Sequence, residues 1–224
     1  MQKIAFYDMD KTITRAPTWT PFLVHAARMR APWRLALLPV AGVITLGYAA
    51  GLLDRAGLKQ ATQRLMLGRA LPPADMSRVA DAFADRVAHT GVFEGAVARI
   101  AADRRAGYLL VLATASHGYY ARAIAQRLGF DDVVATVARH DESGNVESRI
   151  EGENCYGPAK LRMVEHWMAG QGIDRAGAHV RAYSDHVSDA PLLEWADEAF
   201  AVNPHGTLRA MAMQRGWPVL DWHA

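Results

Sequence analysis

Three short apolar runs, each breaking off into oxygen-bearing side chains, constrain this chain more than anything else in it. "KIAFYDMD" (3–10) ends in two aspartates, "GYLLVLATAS" (107–116) in a threonine and a serine, and "HVRAYSD" (179–185) in a serine and an aspartate. Each has strand character, and helical stretches lie between them. "DMSRVADAFADRV" sets Met76, Val79, Ala80, Phe83 and Val87 at a 3.6-residue spacing within a helical 55–90. Further helices are expected over 94–106, from Tyr119 to a stop at Gly129, from Lys160 to about Met168, and over 206–215. A strand, a turn at Ser143-Gly144-Asn145 and a returning strand fill 131–152, "EAFAVNP" is a strand, and "WPVLDW" is a last short one. Strands alternating with helices predict an α/β fold around a Rossmann-like parallel sheet. In such sheets ligands bind beyond the carboxyl ends of the strands, where these polar residues fall.

The totals narrow the class. A chain of 224 residues fits one domain, or one with a modest insertion, and 51% hydrophobic residues suffice for a core without disulfides. The single cysteine, Cys155, allows no internal disulfide and suits a reducing compartment. A net charge of +2 gives no case for nucleic acid as a partner. The N-terminal "MQKIAFYDMD" places acids where the apolar stretch of a signal peptide would run.

Asp8 and Asp10 leave one strand end together. Two such carboxylates repel unless a cation or a shared proton offsets them, although a lone pair of this kind is as often two solvated acids or helix caps. Asp185 and Asp189 repeat the situation at a second strand end, in a tight turn into a helix with Pro191 in its first turn. Taken together, acids converging on one sheet edge make an all-oxygen site that suits a hard cation, Mg²⁺ above all. Thr114 ends the most apolar strand, as an anion-facing hydroxyl or a helix cap. Lys160 opens a helix, where a phosphate is attracted or where a lysine is simply solvated. His117 and His186 neighbour these residues and read as partly exposed loop histidines or substrate contacts. Tyr119 and Tyr120 read as core, and Cys155 as a residue without a nucleophilic role.

In order along the chain, "FYDMDKTIT", "LLVLATAS", Lys160 in "CYGPAKLRMVEHW" and "YSDHVSD" resemble the four motifs of the haloacid dehalogenase superfamily of phosphohydrolases, over residues 1–16 and 91–224. The region from Ala182 onward is similar to the IB subfamily, which includes phosphoserine phosphatase-like enzymes. Ser184 and His186 stand where many relatives carry glycines. The resemblance implies a catalytic core of 1–16 and 91–224 with a small helical cap over 17–90. It implies Asp8 as the nucleophile that becomes an aspartyl-phosphate, and Asp10 as general acid and then base. Thr114 and Lys160 would hold the phosphate. Mg²⁺ would sit on Asp8, Asp185 and the backbone carbonyl of Asp10, with Asp189 supporting the metal site from behind.

"LALLPVAGVITLGYAAGLL" (35–53) is nineteen residues without a charge, long enough to span a bilayer. A single crossing would put Asp8 on one side and Thr114, Lys160 and Asp185 on the other, so the site could not assemble. The run is then a hairpin bent near Pro39–Gly42, Gly47 or Gly51, a segment lying on or re-entering a membrane surface, or the buried core of the cap. Arg28, Arg30, Trp33 and Arg34 ahead of it, with Arg55 and Lys59 behind, suit peripheral contact with an anionic bilayer. No acid occurs between Asp10 and Asp54, whereas phosphoserine phosphatases place a glutamate shortly after the first motif to pair with the substrate ammonium. The apolar insertion is similar to bacterial phosphatidylglycerophosphate phosphatases of this subfamily. The expectation is a Mg²⁺-dependent phosphomonoesterase at the inner face of the cytoplasmic membrane acting on a lipid headgroup. The alternatives are a soluble phosphatase of a small metabolite and a non-catalytic phosphate-binding protein.

Overall fold

Alternation along the strands builds two cores, one on each face of a single sheet. The computed structural model describes residues 1–223. In the first strand, β1 (Gln2–Tyr7), Ala5 and Tyr7 point to one face and Ile4 and Phe6 to the other, as a period of two requires. The chain then makes a long excursion. It comprises α1 (Trp19–Arg30), a 3₁₀ stretch (Pro32–Leu37), α2 (Leu38–Ala49), α3 (Arg55–Leu67), β2 (Ala70–Leu71) and α4 (Pro73–Thr90). The outgoing and returning segments pair side by side, with Arg15 N donating to Gly91 O at 2.8 Å and Phe93 N to Ile13 O at 3.0 Å.

After the return come α5 (Glu94–Arg105), β3 (Leu109–His117), α6 (Gly118–Leu128), β4 (Asp132–His140) and β5 (Val146–Glu151). They are followed by α7 (Pro158–Gly170), β6 (Ala178–Ser184), α8 (Ala190–Trp195), β7 (Glu198–Val202), α9 (Gly206–Arg215) and β8 (Val219–Leu220). The eight strands run in the order β2-β5-β4-β3-β1-β6-β7-β8. From β4 to β8 the pairing is parallel, and β5 and β2 add antiparallel pairs at one end. The fold is therefore the α/β one expected, with β1 central and flanked by β3 and β6. This order sets the ends of those three strands beside one another.

The expected helix over 55–90 is two helices. Gly68 stops α3 at φ +98°, a conformation that glycine adopts without the clash a side chain meets, and Pro72 and Pro73 delay the restart. Two of the residues between the helices, Ala70 and Leu71, pair with β5 as β2.

The apolar run is not a buried core. No residue of Pro32–Leu37 or Leu38–Ala49 is buried, and Val43 and Leu46 are about two-thirds exposed (66% and 69%). Helix α2 runs unbroken through Gly42 and Gly47, and the chain turns at Gly51. The apolar interior of the excursion comes from α1 and α4 instead: Phe22 stacks on Tyr120 at 4.5 Å, and Phe83 meets the same ring edge-on at 5.9 Å. These residues join one continuous core with Ala5, Tyr7, Leu110 and Leu112 of the sheet.

Candidate active site

Asp8 follows the last residue of β1, and its N–H donates to Tyr183 O at 2.9 Å, which ties the turn to β6. Lys11 takes φ +61° in this turn, a left-handed conformation uncommon outside glycine and typical of sites that hold backbone strain. A cavity of about 300 Å³ opens here, lined by all six residues singled out in the sequence: Asp8, Asp10, Thr114, Lys160, Asp185 and Asp189. Lys11, Pro17, Arg55, Ala115, Tyr156, His186, Ser188 and His205 complete its wall.

Lys160 is the centre of the arrangement. It is 2% exposed, and its Nζ donates to Asp8 Oδ1 at 2.8 Å and to Asp189 Oδ2 at 2.6 Å. It is a buried cation, not a solvated lysine. Burial works against its charge, but Asp189 and Asp8 outweigh burial and hold it firmly protonated. Asp189 is the first residue before α8, yet its side chain does not cap that helix. It accepts from Lys160 and from Ser184 Oγ (2.7 Å), and its Oδ1 is buried with no hydrogen-bond partner.

Thr12 joins the two aspartates at adjacent strand ends. Its hydroxyl lies 3.2 Å from Asp8 Oδ2 and 3.3 Å from Asp185 Oδ1, and it accepts the N–H of Asp185 at 3.0 Å. Burial pushes Asp8 up to about 7 against the pull of Lys160, with Asp189 and Asp185 adding to the rise. Burial also raises Asp185.

Asp10 is held separately. Its Oδ1 accepts from Thr18 N (2.9 Å) and Thr18 Oγ1 (2.7 Å), and its Oδ2 from Ser116 Oγ (3.2 Å). Burial is nevertheless the largest influence and raises its pKa, which favours the proton-carrying form of a general acid. Thr114 Oγ1 accepts from Ser116 N at 3.1 Å rather than capping α6, which leaves its O–H available to donate.

The donor set fits a hard cation. Asp8 and Asp185 present carboxylate oxygens side by side, and the unpartnered Oδ1 of Asp189 adds negative potential in the same wall. Among the described residues no three His, Cys, Asp or Glu side chains are grouped as a complete ligand set. A cation of the Mg²⁺ kind, which takes one or two carboxylates and fills its shell with water and substrate oxygen, does not require one.

Several working residues carry no role in the sequence reading: Thr12 within the first motif, Thr18 just ahead of α1, Ser116 at the end of β3, and Tyr156. Arg55, expected as a basic flank of the apolar run, lines the cavity. Arg55 sits 4.0 Å over the Tyr156 ring. Three expectations are corrected. His117 is fully buried, does not line the cavity, and is held neutral, its pKa pushed down to about 3 by burial and then by Lys59. Lys59 is buried rather than displayed beside the apolar run. Of the arginines ahead of that run, Arg30 pairs with Asp75 and Arg34 donates to Leu65 O at 2.6 Å, so only Arg28 is left without an intramolecular partner among the described residues. Cys155 is buried, and burial pushes its thiol up to about 12, which leaves it inert.

A parallel sheet whose central strands end in a lysine-bridged aspartate cluster, with hydroxyls and a further aspartate opposite, defines an α/β domain built to receive an anion at its carboxyl edge. The chain belongs to the haloacid dehalogenase-like hydrolase family, whose model matches residues 5–194. It is 34% identical over 132 residues to an inhibition of morphological differentiation protein of Streptomyces azureus, covering 59% of this chain and 47% of that one. It is 27% identical over 221 residues to phosphoserine phosphatase SerB1 of Mycobacterium tuberculosis, covering 97% and 70%. It thus spans about half the length of the first relative and more of the second. Among solved structures, a protein of unknown function from Bordetella pertussis superposes with a TM-score of 0.89 at 26% identity over 99% of both chains. A substrate-bound phosphoserine phosphatase shares the fold, with a TM-score of 0.64 at 18% identity over 98% of this chain and 93% of that one.

Proposed function

We propose that the chain is a phosphomonoester hydrolase in which Asp8 is the nucleophile. The observation that carries this is the 2.8 Å contact of buried Lys160 with Asp8, in a cavity whose opposite acid, Asp10, is held by Thr18 and Ser116. A carboxylate attacking a phosphate must overcome like-charge repulsion, and a fixed cation beside it offsets that repulsion. The Asp8 oxygen bonds to phosphorus as the bond to the leaving alcohol breaks. Asp10 gives its proton to the departing oxygen. Asp10 then takes a proton from water as that water attacks phosphorus, the bond to Asp8 breaks, and inorganic phosphate leaves. Thr114 and Lys160 hold the phosphoryl oxygens throughout. Mg²⁺ on Asp8, Asp185 and the Asp10 carbonyl would supply charge neutralisation on the phosphate, with Asp189 fixing Lys160.

Phosphate release from an aryl phosphate with Mg²⁺ tests this. Asp8→Asn is expected to lower turnover at least about a thousandfold, as loss of a nucleophile does. Unchanged release from Asp8→Asn would exclude the mechanism and favour a binding protein.

For the substrate, we propose a lipid headgroup phosphate met at the inner face of the cytoplasmic membrane. Its support is the exposed apolar α2, whose returning loop passes exposed Leu52 and Leu53 and reaches Arg55 at the cavity. The carboxylates lining the cavity are Asp8, Asp10, Asp185 and Asp189, and Pro17, which follows the first motif, brings none to the wall for a substrate ammonium. The similarity to a protein named phosphoserine phosphatase favours the small-metabolite alternative. A release screen of phosphatidylglycerophosphate, phosphoserine and sugar phosphates decides between them.

A further inference from the structure

Lys59 is a cation the chemistry above does not use. It belongs to α3 and is 7% exposed. Burying an ammonium is costly unless its donors are met. Here two of its three donors are met by oxygens of other segments: the Ala115 carbonyl on β3, and Asn154 Oδ1 at 2.7 Å.

The Ala115 carbonyl is available because β3 is irregular at its end. Thr114 pairs with Ala135 and His117 with Thr136, so Ala115 and Ser116 bulge out against a single step of β4. The bulge aims Ser116 Oγ at Asp10 and closes Ser116 N onto Thr114 Oγ1. It also turns the Ala115 carbonyl out of the ladder. That carbonyl lies 2.8 Å from the Thr136 hydroxyl and accepts from Lys59. Thr136 in turn lies 3.0 Å from Asn154 Oδ1 and accepts the N–H of Cys155 at 3.0 Å, in the segment that leads to Lys160. A single ammonium from the excursion therefore closes a circuit between the two segments that carry Thr114, Ser116 and Lys160.

We propose that Lys59 is a positioning residue that holds the β3 bulge, and with it Thr114 and Ser116, in the geometry the cavity requires. The consequence for turnover rests on the phosphatase reading; the consequence for the bulge does not. Lys59→Met keeps an unbranched apolar stem and removes the donors. Two measurements are made on it. Hydrogen exchange of the 110–118 segment, without metal or substrate, is expected to speed up at 115–118 while α5 and α7 keep wild-type protection. With an aryl phosphate and Mg²⁺, kcat/KM is expected to fall about tenfold to a hundredfold, the range seen when a group orienting a site ligand is lost. The inhibition constant of inorganic phosphate is expected to rise in parallel. A lysine that only filled space would leave the folded variant with wild-type kcat/KM and inhibition constant, and that result, or unchanged exchange at 115–118, overturns the proposal. If wild-type protein releases no phosphate, the phosphatase reading fails, and exchange alone judges Lys59. Lys59→Gln, which keeps a donor without the charge, undergoes the same measurements should Lys59→Met not fold, with a smaller loss in the same direction expected.

Discussion

Thr12 shows how much of this site is set by single hydroxyls. It is fully buried, four residues from Asp8 and 173 from Asp185, and it touches both carboxylates. Thr12→Val keeps the shape and removes the bridge, leaving the Asp185 N–H without its acceptor. Turnover of an aryl phosphate is expected to fall about tenfold to a hundredfold with the circular dichroism unchanged, as for other groups that orient a ligand set. Thr12→Ser is expected to keep most of the activity. His117 makes the opposite case. Both its ring nitrogens are buried without a hydrogen-bond partner, while the ring stacks on Tyr119 at 5.0 Å. An unmet buried polar group costs about 1–3 kcal/mol. His117→Phe keeps the stacking and removes that cost, so its melting temperature should equal or exceed that of the wild type. A clear fall would mean that the nitrogens have partners in solution. Asp103 is a third kind: 1% exposed, it accepts from Tyr7 (2.6 Å), Tyr183 (2.7 Å) and Arg181 (2.7 Å). Asp103→Ala would strand the two buried tyrosine hydroxyls, while Arg181 keeps Glu198, and denaturant unfolding should show a loss of about 2–6 kcal/mol at about 1–3 kcal/mol per unmet group.

At the scale of elements, β1, β3 and β6 were legible because a buried strand that ends in polar residues writes both its length and its function into a few positions. Lys160 was legible only through its order after the other motifs, since nothing local separates a buried lysine from a solvated one. The break at Gly68 and the two-residue β2 were not legible, because their pairing partner, β5, lies about 75 residues away. Helix α3 misled for a related reason. Three of its five buried residues, Lys59, Thr62 and Gln63, are polar, so the apolar part of the buried face shrinks to Met66 and Leu67 in the last turn. Lys59 also leaves a trace in stability. Burial, Arg55 and Lys160 push it down to about 8 against the pull of Asp10 and Cys155, whereas an unfolded lysine titrates near 10.4. Between those values the unfolded chain binds the extra proton, so this residue's contribution to stability rises with pH. The cost of the buried charge is complete below pH 8 and gone above about 10.4, a span of about 3 kcal/mol at 1.36 kcal/mol per unit. The unfolding free energy of Lys59→Met, measured relative to wild type, should therefore fall as pH rises from 7 to 10. A constant difference would show that Lys59 keeps its ordinary basicity in the fold.

For the whole molecule, the question is what covers α2. After α1 the segment is fastened by Arg34, in the 3₁₀ stretch, to the end of α3 at Leu65 O, and it returns through Gly51 to Arg55 at the cavity. Both ends thus lie on the same body as the site, and the run is an outward hairpin arm rather than a crossing. Trp33, Val43, Leu46 and Leu52 are each at least 64% exposed along it. Burying one such side chain fully is worth about 1.5–3 kcal/mol, so four inserted together would contribute about 6–12 kcal/mol, a dissociation constant between tens of micromolar and about a nanomolar. Exposed Arg28 would add a modest attraction to anionic headgroups, screened by salt. Flotation with phosphatidylglycerol vesicles should carry the protein to the top of the gradient. Leu46→Asp should leave it at the bottom, because a carboxylate cannot enter the acyl boundary without a large desolvation cost. The same variant should hydrolyse an aryl phosphate at the wild-type rate, since α2 contributes nothing to the cavity wall. A substrate that must be drawn from the membrane would then be lost to Leu46→Asp while a water-borne one is not. No flotation of the wild type would leave the small-metabolite reading in possession of the site, and equal flotation of wild type and variant would show that α2 is not what holds the protein on the bilayer.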